Sequence, residues 1–145
     1  MTSLIIYDSL YGNTQKIAEA IANVNGGIVI RVQDFKKEML EGAVLLIVGC
    51  PIHGWQPSKS TLDFLASLPP DSLKGKRVAA FDTRIKSFLS GSASDKVDKK
   101  LVSLGGVSVA PPGKFFVKGK EGPLLEGELE NAKNWFRDIL ENENI

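Results

Sequence analysis

The sequence is poor in the residues from which reactive sites are most often built. It has one cysteine, Cys50, and one histidine, His53. A single thiol closes no internal disulfide, and that scarcity predicts a reducing, cytoplasmic setting. Too few ligands are present for a zinc site, and no metal is expected. Neither sign of charge dominates, with 18 basic residues against 17 acidic ones and a net charge of +1. This balance, without a basic stripe interleaved with aromatics, excludes a nucleic-acid binder that works by neutralising phosphates. No apolar run approaches the roughly 18 residues of a membrane span. The opening MTSLIIYD lacks the cationic start and long apolar stretch of a secretory signal. GxGxxG and GxxxxGK[ST] are both absent, so neither signature of a dinucleotide or triphosphate loop applies. There is no internal repeat and no low-complexity segment.

What is present suits one domain, 1–145, of ordinary globular composition, with 43% hydrophobic and 24% charged residues. Short apolar runs at 3–8, 27–32, 43–49, 77–82 and 107–110 read as strands. Most lack strict apolar–polar alternation, which predicts burial on both faces. Amphipathic segments separate them. Ile17, Ala18, Ile21 and Ala22 share one helical face, Leu62, Leu65 and Ala66 another, and Val97, Leu101 and Leu104 a third. The last helix is expected over about 124–141, and segment 33–41 reads as a connector with at most one short helix. Strands alternating with helices predict a doubly wound parallel sheet in three α/β/α layers. Ligands of such sheets bind beyond the carboxyl ends of the strands. Three loops of unusual composition leave those ends, at 9–14, 50–57 and 82–92, and should converge there.

The first of them reads SLYGNT. Ser9 and Thr14 offer hydroxyls, Gly12 permits close backbone approach, and Asn13 carries an amide. Placed before a helix, these groups suit a phosphate held by amides, hydroxyls and the positive end of the helix dipole. No lysine lies in the loop, which favours a terminal monoester. The same residue types also serve as ordinary helix caps, so the loop alone leaves both readings open.

SLYGNT after a first strand resembles the FMN phosphate loop of flavodoxins, usually [ST]-x-[ST]-G-[NT]-[ST], with Tyr11 at the middle hydroxyl position. The resemblance covers nearly the whole chain and is of the short-chain type. Its stretch 115–135 is similar to one in a less-studied prokaryotic group of flavodoxin-like proteins. It implies a five-stranded sheet of order 2-1-3-4-5 with FMN at the switch point, and Ser9, Leu10, Tyr11, Gly12, Asn13 and Thr14 around the phosphate. It further implies that 49–60, containing Pro51, Ile52, His53, Gly54 and Trp55, flanks the isoalloxazine ring. Gly54 matches a glycine whose peptide turns on reduction and offers the preceding carbonyl to flavin N5. His53 stands where the family has a tryptophan, and Trp55 follows the glycine. Trp55 thus reads as a ring cover or as a partly buried loop anchor. His53 reads as a stacking or proton-bearing group, or as a surface residue. Cys50 reads as a small buried hydrophobe.

The third loop, with Thr83, Arg84, Phe88 and Gly91, corresponds to a region that in flavodoxins carries a stacking tyrosine and several acids. Phe88 is the one aromatic there that can replace the tyrosine, while Arg84 and Lys86 stand where acids are expected. A cation near the ring favours its anionic, fully reduced form. The other reading of Arg84 is a solvent-facing side chain or a pair with Asp82. Segment 115–135 is placed after a broken fifth strand, its charges on a solvated helix face, with FFVKGK alternatively a partner contact.

The resemblance implies an FMN-binding electron carrier, monomeric or weakly dimeric, that moves electrons between redox partner proteins. Two alternatives are an FMN-dependent oxidoreductase acting on a quinone- or porphyrinogen-like acceptor, and a flavodoxin-like binding module without FMN.

Overall fold

The computed structural model describes residues 2–53, 55–86 and 92–145. In chain order its elements are β1 (Thr2–Tyr7), α1 (Asn13–Asn25), β2 (Ile28–Arg31), β3 (Ala43–His53), β4 (Gln56–Pro57), α2 (Lys59–Ser67), β5 (Arg77–Ile85), α3 (Ala93–Ser103), β6 (Val107–Ser108), β7 (Gly113–Val117) and α4 (Glu128–Glu143). β1, β3 and β5 form the parallel centre, with β2 beside β1 and both β6 and β7 beside β5. This is the expected flavodoxin-like order, with β6 and β7 sharing the fifth position.

The apolar strands face two cores because side chains alternate across the sheet. Leu4 and Ile6, Leu46 and Val48, and Val78 and Ala80 point to one side, where Phe64, Leu65, Val97 and Leu101 of α2 and α3 meet them. Ile5 and Tyr7, Leu45 and Ile47, and Ala79 and Phe81 point to the other, against Ile17 and Ile21 of α1 and Ala132, Phe136 and Ile139 of α4. Burial on both faces explains the near-continuous apolar runs.

Several boundaries differ from the sequence reading, each for a physical reason. Seven strands replace five. The run 107–110 keeps strand pairing only at Val107–Ser108, and pairing resumes at Gly113–Val117. Pro111 and Pro112 lie between and have no amide hydrogens for a ladder. Segment 115–117 is therefore part of the fifth strand position, not downstream of it. Residues 118–125 turn back on it, with Val117 bridging Leu124 and Leu125 N–H donating to the Phe116 carbonyl at 2.9 Å. That return displaces the start of the last helix from 124 to Glu128, behind Gly127. The connector 33–41 holds two single turns of 3-10 helix, Val32–Asp34 and Lys37–Leu40, where one at most was expected. In α2 the buried face is Thr61, Phe64 and Leu65. Leu62, expected inside, is exposed, as is Leu129 of α4.

Candidate functional site

The strand register builds the site. β1, β3, β5 and β7 end side by side, so that Pro51 lies opposite Thr83, and Ile85 opposite Val117. A cleft of about 520 Å³ opens beyond these ends. It is lined by Ser9, Leu10, Tyr11, Asn13 and Thr14 from the first loop, by Pro51, Ile52, His53 and Trp55, by Thr83, Arg84 and Ile85, and by Val117 and Lys120. The three expected segments thus meet at one edge of the sheet, and a fourth joins them.

The first loop is a tight turn onto α1. The Gly12 N–H donates to Ser9 Oγ at 3.0 Å, and Gly12 takes a left-handed φ of +92°. Most side chains strain at that angle, which accounts for glycine here. Its carbonyl accepts the Lys16 N–H at 3.1 Å, which closes the first helical turn. Among the described residues no side chain caps this end of α1. Ser9 bonds within the loop, and Thr14 turns inward. Thr14 Oγ1 lies 2.8 Å from Thr83 Oγ1, and this buried hydroxyl pair ties the first loop to β5. Beneath it, Asp8 accepts a hydrogen bond from Ser58 Oγ, whose oxygen lies 2.8 Å from Thr61 Oγ1.

Asn13 does something the sequence does not announce. Its side-chain Nδ2 donates to the Glu121 carbonyl at 3.2 Å. A Cβ at Gly122 would come within 2.6 Å of Asn13 Oδ1, and Gly122 has a φ of +100°. The 118–122 turn is therefore fastened onto the first residue of α1.

Loop 50–57 is mostly strand. β3 runs on to His53, and His53 and Ile52 pair antiparallel with Gln56 and Pro57. His53 stands exposed at the strand end. Trp55 is 59% exposed and carries a left-handed φ of +69°. Its carbonyl accepts Lys96 Nζ at 3.3 Å. Cys50 is fully buried, and burial pushes its thiol well above the ordinary range, so it serves as packing. Gly54, Phe88 and Gly91 lie outside the described residues, so their expected places against the flavin are outside them too.

In β5, Asp82 is completely buried and accepts Arg84 Nε at 2.7 Å, Arg84 Nη2 at 2.5 Å and the Ser94 N–H at 2.8 Å. Arg84 thus lies folded against the carboxylate at the cleft wall, the pairing that one of its two readings anticipates. Its charge is compensated there, which undercuts the expectation of a bare cation beside the ring. Sequence reasoning missed Ile85, Val117 and Lys120. The signal for them was the glycine-flanked KGKEG at 118–122, legible only once 113–117 is recognised as a strand.

Comparison with known proteins agrees with this geometry. The flavodoxin-domain family model matches residues 4–104. A flavodoxin from the domain Archaea is 26% identical, with a TM-score of 0.79 and complete coverage of both chains. Oxidised flavodoxin 2 from Bacillus cereus is 23% identical, with a TM-score of 0.82 over 97% of this chain and 99% of that one. Rubredoxin oxygen:oxidoreductase from Desulfovibrio gigas is 21% identical, with a TM-score of 0.72, and matches 99% of this chain but 37% of its own. With the family match spanning most of the chain and the strand order in agreement, this protein belongs to the flavodoxin family.

Proposed function

We propose that the cleft binds FMN and that the protein carries electrons between redox partner proteins. The observation that carries this reading is the start of α1 at the cleft, where among the described residues no side chain caps the helix and Ser9 and Thr14 place hydroxyl oxygens nearby. Amides at a helix start, backed by the dipole, suit a phosphate monoester. The cleft volume of about 520 Å³ lies within the ordinary range for cofactor sites. Its remaining walls, including Leu10, Tyr11, Ile52, Trp55 and Ile85, are apolar enough to lie against a flat ring.

Bound FMN supplies the redox chemistry, accepting and giving up electrons one or two at a time. The protein's residues hold and shield it. Ser9, Gly12, Asn13 and Thr14 grip the phosphate, Asn13 through its backbone because its side chain is engaged elsewhere. Thr83 and Arg84 stand at the wall between phosphate and ring. Pro51, Ile52, His53 and Trp55 flank the ring. Exposed Leu10, Tyr11, Trp55 and Ile85 leave an apolar rim where a partner protein can approach the ring edge. Kinship of fold with rubredoxin oxygen:oxidoreductase is in keeping with a one-electron partner.

The test is anaerobic photoreduction of the FMN-loaded protein. A carrier takes up electrons in two separated spectral phases. A single phase straight to the fully reduced flavin favours the oxidoreductase alternative. Apoprotein that stays colourless with added FMN favours the binding module.

A further inference from the structure

A phosphate monoester carries up to two negative charges near neutral pH, whereas a helix start offers only about half a positive charge. The loop 9–14 contains no cation to supply the rest. The fold brings one from 106 residues further along the chain: Lys120 lines the same cleft as Ser9, Asn13 and Thr14.

Its position is built. Asn13, the first residue of α1, binds the carbonyl of Glu121, the residue directly after Lys120, at 3.2 Å. Gly122 packs so closely on the Asn13 amide that a Cβ there would collide with it. The turn is closed from within, with Gly122 N–H donating to the Gly119 carbonyl at 2.9 Å and Lys118 N–H to the Pro123 carbonyl at 2.9 Å. Lys120 is thereby held at the helix-start end of the cleft. The other cationic side chain of the cleft wall, Arg84, is committed to Asp82. Among the described residues Lys120 makes no ion pair.

We propose that Lys120 is a phosphate ligand, an ammonium lent by the 118–122 turn to an anion that the first loop holds with neutral groups. The inference rests on FMN being the occupant. In it, Asn13 is a positioning residue: it uses its side chain to dock the turn and leaves its backbone N–H for the anion. A lysine suits this place because a compact, flexible ammonium can follow a phosphate without a fixed fork geometry. Lys120 also sets selectivity, since it rewards FMN over riboflavin and contributes nothing to the ring itself.

The experiment titrates apoprotein with FMN and, separately, with riboflavin, across a range of salt concentrations. The wild type is compared with Lys120→Gln, Lys120→Arg and Lys118→Gln. Lys120→Gln is expected to weaken FMN about tenfold at low salt, leave riboflavin within about twofold, and flatten the salt dependence. Lys120→Arg should recover most of the loss. Lys118→Gln removes the same charge from the same turn, with FMN affinity held within about twofold. Unchanged FMN affinity in Lys120→Gln overturns the inference and leaves the FMN reading standing. So does equal loss of riboflavin, or an equal loss in Lys118→Gln. If the wild type binds neither ligand, the FMN reading itself fails and this one with it.

Discussion

At Thr14 and Thr83 two hydroxyls from distant parts of the chain meet with almost no solvent between them. The pair fixes how the 9–14 loop sits on β5. Thr14→Val should weaken FMN binding about tenfold while costing about 1 kcal/mol of stability for the hydroxyl left alone. Fluorescence titration and urea unfolding read the two effects separately. Asp82 is a structural counterpart, a buried carboxylate with three donors. Asp82→Ala removes the buried acceptor shared by Arg84 and the Ser94 N–H, and about 3 kcal/mol of stability should be lost in denaturant unfolding. A loss below about 1 kcal/mol would contradict a buried pair. Cys50 gives a pH effect whose sign follows from burial. The folded thiol holds its proton to higher pH than the unfolded one, so the unfolded chain binds fewer protons once pH passes the ordinary thiol range. Stability should therefore fall through that window, and Cys50→Ala should remove this component. In the folded protein the thiol should also resist alkylation.

Among the elements, the hairpin from β7 to Leu125 is the one that completes the cleft. Gly122→Ala combines a collision with Asn13 and an unfavourable φ, so the turn should lift off α1. Hydrogen exchange should speed up over 118–125 with little change in the sheet centre. The hairpin also shows where sequence reading stops. Strands β1, β3 and β5 are legible because both their faces are apolar, and α1 and α3 because their apolar residues recur at helical spacing. The tight 9–14 turn is legible because Gly12 and its hydroxyl neighbours are local to one another. β7 is not, since Gly113–Val117 follows two prolines and begins with glycine and lysine. Without that strand, Lys120 reads as distant surface, and the docking of the Asn13 side chain on the 118–122 turn goes unseen. Arg84 posed a different difficulty. Its sequence spacing from Asp82 permits pairing or exposure equally, and only the buried position of the carboxylate decides.

On the scale of the whole molecule, two cores clamp one sheet, and every cleft residue sits at the same edge. The described stretches at the cleft, 9–14, 51–53, 83–86 and 117–122, contain four basic residues and one acid, while the full chain has 18 and 17. With Arg84 compensated by Asp82, the lysines still bias the charge around the cleft positive in a nearly neutral protein. Electron transfer from the reduced protein to a small anionic oxidant should slow as ionic strength rises, and to a cationic one should quicken. Stopped-flow kinetics with the two oxidants reads the sign, and the reverse ordering would contradict the bias. FMN should also raise the melting temperature in proportion to the logarithm of its concentration above Kd. The most direct test of the account is the wild-type affinity for FMN against riboflavin, measured on the same apoprotein at fixed salt. If the start of α1 recognises a phosphate, FMN should bind at least about a hundredfold more tightly, the worth of a few charge-assisted hydrogen bonds. Equal affinities would mean that the turn after β1 holds no phosphate.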